Sequence, residues 1–511
     1  MKRLALAGVA LLGVLATVLQ PWHDADSRPR PRNAPAPTTS PRSHTIFLTA
    51  RSPSPVAIEN ERAGTRDWLI DPHPRDQQAI EGYADPVSAT PGSEVRLFVR
   101  TKEQSVRADV YRLGWYGGTG ARKVAVVGPV PGDRQTSCPV EGPRLTIECR
   151  WKPTLRIVTR ADWVSGQYIV KLTDAKNDRA YVPFTLRELK PRAPILMVLG
   201  VTTWQAYNKW GGRNLYQGPA NPAPCKAPCP TRSRAVSFDR PYLWPGAGLL
   251  FSGEFQAIEF LEKHGLDVGY ATSIDLDRGV VGLDRRKVFL SFAHDEYYTT
   301  RMRKALEGAI AGGTSLAFIG ANDMYRHMRF EQSPLGPDRI EVNYKFSNED
   351  PVTLTDPSES TADWRRAPLN DPEQLLMGEQ YECCAFRGGA FDWTPTGKPS
   401  WLFRGTGLVA GIPVPRLVQG EYDRVFVDVP RPAGVTFVAR TAPLPFGKGE
   451  EQSSTIYVAP SGGAVFDAGD EFFACALGPT WIGWCGDRRV DTRIQRFTMN
   501  LIDGMLSRRF V

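Results

Sequence analysis

The stretch from Val288 to Asn322 constrains this chain more than any other. It begins with VFLSFA, an apolar run of strand length, and passes through HDEYY into TTRMRKALEGAIAGG. In that longer run Met302, Ala305, Leu306, Ala309 and Ile310 recur at i, i+3, i+4, i+7 and i+8, the spacing of one helix face. Thr299 or Thr300 can cap its start, and Gly312-Gly313 can stop it. TSLAFIGAND then supplies a second apolar strand. The order predicts a β-α-β unit with parallel strands and a right-handed crossover. His294, Asp295 and Glu296 fall just past the carboxyl end of the first strand, and Asn322 and Asp323 just past the second. Open α/β sheets bind ligands at that edge, so this polar cluster is the leading functional candidate. A structural reading competes with it: His294 and Asp295 can cap the helix and satisfy its free N–H groups.

Other segments extend the pattern. PILMVLGVTT reads as a strand running into WQAYNKWGGRNLY, Glu254 to His264 as a helix stopped by Gly265, and LDVGYATSIDLD as the next strand. VFVDVP, GVTFVAR, STIYVAP and GAVFDAG look like further strands. Asp491 to Leu506 reads as a terminal helix with Ile494, Phe497, Leu501, Ile502 and Met505 inward. Upstream the pattern differs. SEVRLFVRT, ADVYRLGWY, GQYIVKLTD and RAYVPFTLRE are short strands with one buried face, and helical spacing is absent there. These predict an immunoglobulin-like β-sandwich over residues 45–190, followed by an α/β domain over 191–511. Tyr111, Trp115 and Tyr116 read as hairpin packing ahead of a ligand site.

The N-terminus has another character. Lys2-Arg3 followed by the apolar run Leu4 to Leu19 makes residues 1–22 a secretory signal, or an anchor if uncleaved. The run is short of the about 20 apolar residues of a spanning helix. Residues 23–44, rich in Pro, Arg and Ser, have almost nothing to bury and read as a disordered linker. Half of the formal charge of +8 lies in residues 1–43, so the body is only mildly basic. With no basic stripe interleaved with aromatics, nucleic acid is excluded as a partner. The expected location is secreted or extracytoplasmic, with membrane tethering through the N-terminal segment if that segment stays.

The eight cysteines fit an oxidising compartment. Spacing suggests the pairs Cys138–Cys149 and Cys475–Cys485. Cys225, Cys229, Cys383 and Cys384 can pair locally or cross-link their two loops. A four-cysteine zinc site is disfavoured, since CxxxC and CC are not the usual knuckle spacings.

Nucleophile signatures are missing. The sequence holds no GxSxG elbow, no HExxH and no Walker A loop. Tyrosines, a histidine, carboxylates and an asparagine at strand ends remain, and these suit metal ligation or acid–base work. Glycan processing by Asp295 and Glu296 is disfavoured, because adjacent residues at a strand end diverge.

Five motifs, in order, carry a resemblance: YRLGWYGG, TWQAYNKWGG, FDRPY, HDEYY and GANDMYRHMRF. From about Ala108 onward the chain resembles the large-subunit-like proteins of the N,N-dimethylformamidase family. The resemblance implies β-sandwich material plus an α/β domain with a glutamine-amidotransferase-like, flavodoxin-like sheet. It also implies a mononuclear iron centre of two tyrosines and one glutamate that hydrolyses a linear amide. Carried over, Glu296 is the glutamate ligand, Tyr207 one tyrosine ligand and Tyr242 the other, with Tyr216 as its competitor. His294 would pass a proton to the leaving amine, and Asn322 would hydrogen-bond the oxyanion. The family's characterised amidase is intracellular and pairs with a small subunit. The export signal, linker and cysteines of this chain depart from that pattern, so the resemblance carries neither substrate nor small subunit across. The expectation is an exported, metal-dependent hydrolase of C–N amide bonds. Its partner is a small amide or an envelope-derived substrate, and a homo-oligomer is compatible with it. The alternative is a non-catalytic ligand- or envelope-binding protein on the same fold.

Overall fold

A computed structural model describes residues 53–510, apart from 75, 220–229, 385–388, 445–449, 480–481 and 486–489. The expected signal and linker (1–44), Cys225 and Cys229 lie outside the described residues. Among the described residues no helix is long and apolar enough to cross a membrane.

Strand alternation in the first part builds two sheets over one core. A three-stranded sheet holds Ile80–Asp85, Glu94–Thr101 and Leu155–Val158 in that order. A five-stranded sheet runs Ser88–Ala89, Arg179–Leu186, Gly166–Asp174, Ser105–Leu113 and Ala121–Pro131. Val95, Leu97 and Val99 from the first sheet pack with Val110, Val170, Leu172 and Val182 from the second. One helix interrupts the all-strand expectation. Pro55–Asn60 is helical, with Ser54 as N-cap and Pro55 in the first turn. That Ser-Pro pair is a start signal, but the helix is too short to display a period.

The second part is organised by a nine-stranded mixed sheet. Its order is Val268–Thr272, Ile195–Leu199, Val288–Ala293, Ser315–Gly320, Ala464–Asp467, Ser453–Val458, Thr436–Arg440, Phe391–Pro395 and Val414–Val418. The first five run parallel and the rest antiparallel. Val288–Ala293 pairs with Ser315–Gly320 in parallel, joined through the helix Thr300–Ala311. Thr299 is its N-cap, accepting from Met302 N at 3.1 Å. The strand order reverses between Ile195–Leu199 and Val288–Ala293, which opens a crevice outside their carboxyl ends.

Three expected strands are revised. PILMVLGVTT stops at Leu199, and Val201–Tyr207 is helical. Its β-branched Val-Thr-Thr favours strand, but tertiary partners override that preference: Thr202 N donates to Ser273 Oγ and Thr203 Oγ1 accepts from Glu296 N. LDVGYATSIDLD is the strand Val268–Thr272 and then the helix Ser273–Asp277, started by a Thr272/Asp275 capping box. VFVDVP is a turn; the strand is Glu421–Arg424 just before it, paired with Gln380–Cys384.

One apolar cluster crosses between the two parts. Trp68, Tyr111 and Tyr181 share it with Phe251, Phe255 and Ile258. Beside it, the buried Arg112 guanidinium forms a two-pronged pair with Glu262 at 2.8 and 2.9 Å. Tyr111 and Tyr116 are buried, in keeping with a packing role. Cys138–Cys149 and Cys475–Cys485 are disulfides, whereas Cys383 and Cys384 are free thiols.

Candidate functional site

Two turns deliver the site's tyrosines. The Val201–Tyr207 helix ends at Tyr207 in the crevice beyond Leu199. The chain then doubles back around Asn214. Its side chain donates to Tyr207 O at 2.9 Å and accepts from Tyr216 N at 2.8 Å and Gln217 N at 2.7 Å. This turn of the type that Asn favours sets the Tyr216 ring 4.5 Å from the Tyr207 ring. From the neighbouring strand, Ala293 leaves at φ +66° and the chain reverses through His294, Asp295 and Glu296.

Glu296 is the centre of the cluster. Its carboxylate accepts from Tyr207 OH at 2.9 Å and from Tyr216 OH at 2.7 Å. Arg326 Nε lies 3.3 Å from the same group, and His294 Nε2 lies 3.6 Å away. Tyr297 OH donates to Tyr216 OH at 2.9 Å, and Lys345 Nζ donates to Tyr297 OH at 2.7 Å. Lys345 also sits 3.3 Å above the centre of the Tyr216 ring.

A second carboxylate faces the first. Glu421 lies 3.3 Å from His294 Nε2 and accepts a short hydrogen bond from Asn322 Nδ2. Asn322 stands at φ +56°, a region asparagine tolerates, and its backbone N–H donates to Asp423 at 2.9 Å.

Charge follows burial and neighbours. Burial alone would lower the His294 imidazole, but Glu421, with Glu471 and Glu296, holds it up to about 10. Burial pushes Glu296 upward, yet Lys345, His294 and Arg326 together bring it below the ordinary carboxylate range. The Tyr207 and Tyr216 phenols are raised by burial and by Glu296.

The residues singled out from sequence therefore separate into groups. His294, Glu296, Asn322 and Tyr207 converge. Asp295 and Asp323 turn away: Asp295 accepts from Tyr298 OH at 2.7 Å, and Asp323 accepts from Asp295 N at 3.2 Å. Tyr242 does not join Glu296. Its ring packs edge-on against Trp204 at 6.2 Å beside the apolar core, and its buried hydroxyl has no hydrogen-bond partner among the described residues. Tyr216, named beside it as the competitor, lies against Glu296 instead.

Four participants were not singled out. Tyr297 and Arg326 lie inside HDEYY and GANDMYRHMRF, but no spacing rule selects them. Lys345 and Glu421 come from segments whose patterns say only strand or turn. Among the described residues, His, Cys, Asp and Glu nowhere gather in threes able to hold a metal ion. Any ion here would lean on tyrosine oxygens.

No curated protein matches the chain. Residues 107–486, well over half of its length, match the family model described as N,N-dimethylformamidase beta subunit-like, C-terminal, and the chain belongs to that family.

Proposed function

We propose that this protein is an extracytoplasmic amidohydrolase that cleaves the C–N bond of linear amides, using an iron ion. The observation that carries the reading is the meeting of two phenols and one carboxylate, Tyr207, Tyr216 and Glu296, within hydrogen-bond reach of one another. Three hard oxygen donors in contact fit a ferric or similar ion. Tyr207, Tyr216 and Glu296 would hold it, and when bound it would polarise an amide carbonyl and acidify a water.

The chain's own groups supply the rest. His294 is held protonated by Glu421, so it can donate to the leaving amine nitrogen as the C–N bond breaks. Asn322 Nδ2 commits one hydrogen to Glu421 and lies 3.2 Å from His294 Nε2; with that imidazole protonated and itself a donor, the second hydrogen can go to the charge developing on the carbonyl oxygen. Arg326 offsets the negative charge gathered around Glu296. Water adds to the carbonyl carbon, and a carboxylic acid and an amine leave.

Export rests on the basic-apolar N-terminus and is supported by the two disulfides. The two facing sheets over one core support an immunoglobulin-like sandwich, and the 2-1-3-4 order of the first parallel strands supports a flavodoxin-like, amidotransferase-like sheet.

The test is metal content of the purified protein by mass spectrometry, beside Glu296→Ala and Tyr216→Phe. Amine release from N,N-dimethylformamide and other linear amides is followed in parallel. Near-stoichiometric iron with a visible tyrosinate-to-metal band, both lost in the variants, is expected. Metal-free, inactive protein from iron-replete medium would sink the reading.

A further inference from the structure

The strand Gln380–Cys384 borders the site from the side of Glu421. It pairs antiparallel with Glu421–Arg424, with Cys384 opposite Glu421 and Cys383 opposite Tyr422, and with a bulge between Tyr381 and Cys383. Both thiols are free, Cys383 exposed and Cys384 half-buried. Their sulfurs lie 2.7 Å apart. That is closer than two non-bonded sulfurs ordinarily sit, and farther than a sulfur–sulfur bond of about 2.05 Å. Two adjacent cysteines are therefore poised against one another on the rung that carries a site carboxylate.

We propose that Cys383 and Cys384 form a redox-active dithiol that closes to a vicinal disulfide, and that closure loosens the Cys384–Glu421 rung that presents Glu421 to His294 and Asn322. The oxidant is a low-molecular-weight disulfide. The Cys383 thiolate attacks one of its sulfurs, forms a mixed disulfide and releases one small thiol. The Cys384 thiol then attacks the Cys383 sulfur and releases the second. The pair gives up two hydrogens, which leave on the two small thiols, and one sulfur–sulfur bond has moved onto the protein. Cys383 is fitted to attack first, because it is the more exposed and its thiol is lowered by the hydrogen bond from Cys384. Neighbouring Cα atoms stand about 3.8 Å apart across a trans peptide, below the about 4.4 Å at which unstrained disulfides begin. The ring must be strained, and strained disulfides are the readily reduced, switchable kind.

The rung matters because Glu421 ties three things together. Its backbone N–H donates to Glu471, and its carboxylate takes Asn322 Nδ2 and faces His294. A twist of the 383–384 peptide acts on this ladder directly. The inference does not depend on the hydrolase reading, since it concerns sulfur chemistry and backbone pairing alone.

The experiment treats the full chain with oxidised glutathione, blocks free thiols by alkylation and maps peptides by mass spectrometry. Hydrogen exchange is measured on the same samples. The expected result is a peptide spanning 383–384 that has lost two hydrogens and resists alkylation, and that reverts with a dithiol reductant. Faster amide exchange in 380–384 and 421–424 should accompany oxidation and should be absent from Cys383→Ser/Cys384→Ser. Three results overturn the proposal: a glutathione adduct that persists on Cys383, a cross-link from either residue to Cys225 or Cys229, or ring closure with unchanged exchange at 421–424.

Discussion

The Arg112–Glu262 pair ties the two halves of the chain together, and its removal has a calculable cost. Both side chains are 0 % exposed. The guanidinium gives Glu262 hydrogen bonds of 2.8 and 2.9 Å, and it also donates to Ser165 O at 2.8 Å and Leu113 O at 3.1 Å. Glu262 further accepts from Tyr270 OH at 2.8 Å and Asn60 Nδ2 at 2.6 Å. Glu262→Ala strands a buried cation and two donors, so the loss is about 3–5 kcal/mol. Arg112→Met costs less, because the Glu262 carboxylate keeps Tyr270 OH and Asn60 Nδ2 as donors. Combining Glu262→Ala with Arg112→Met removes the stranded charge and leaves only neutral groups such as Tyr270 OH, at about 1 kcal/mol each. The double variant should therefore be more stable than Glu262→Ala alone, with a coupling of at least about 2 kcal/mol. Urea titrations read by tryptophan fluorescence and by far-ultraviolet circular dichroism supply the cycle. The shared core around Trp68, Phe251 and Phe255 predicts that the two probes report one transition. If the single effects add to within about 0.5 kcal/mol, the pair is not coupled and the reasoning fails.

Three further outcomes follow from other places in the fold. Tyr242→Phe removes a buried hydroxyl that has no partner among the described residues, so it should leave iron content and amide hydrolysis intact and alter stability by less than about 1 kcal/mol; loss of iron in this variant would return Tyr242 to the ligand set. His327 is 0 % exposed, and burial lowers its imidazole to about 4. The folded group binds its proton later than the unfolded one, so its contribution is complete above about pH 6.5 and about 3 kcal/mol of it is lost as the pH falls towards 4. His327→Gln should flatten the stability profile in that window, and parallel profiles would contradict this. Trp68→Ala empties a fully buried site bounded by Tyr181, Phe251 and Phe255, and denaturant unfolding should show a loss of about 3–5 kcal/mol; a loss below about 1 kcal/mol would mean that the shared core carries little load.

Periodic features were legible because they depend on the chain's own neighbours. The Thr300–Ala311 and Thr492–Ser507 helices have long apolar stripes and marked ends, and their burial follows the spacing. The five-residue helix Ser273–Asp277 has no room to display a period, and its capping box was the only readable mark. VFVDVP has strand composition, yet Val427 is 81 % exposed. Among the described residues pairing partners exist for Glu421–Arg424 and not for it, and partnership is invisible in a local pattern.

The site divides along the same line. His294, Glu296 and Asn322 could be placed because a β-α-β unit brings the ends of its two strands to one edge. Which tyrosines meet Glu296 depends on something else, the reversal around Asn214 that folds Tyr216 back onto Tyr207. Tyr242 follows a proline in a segment just as aromatic, and only its packing on Trp204 separates it from the site. Glu421 arrives across a long interval from a separate two-stranded ribbon, held by its ladder with Gln380–Cys384. The parallel strands thus fix the acid and amide groups at their ends, and the separate ribbon brings the carboxylate that faces His294. An Asn214→Ala variant separates these contributions. It should release Tyr216 from Tyr207 while leaving the His294–Glu421 contact, so tyrosine-dependent metal binding should fall without loss of the histidine's elevated pKa, read by NMR titration. A parallel fall of both would mean that the two halves of the site do not form independently.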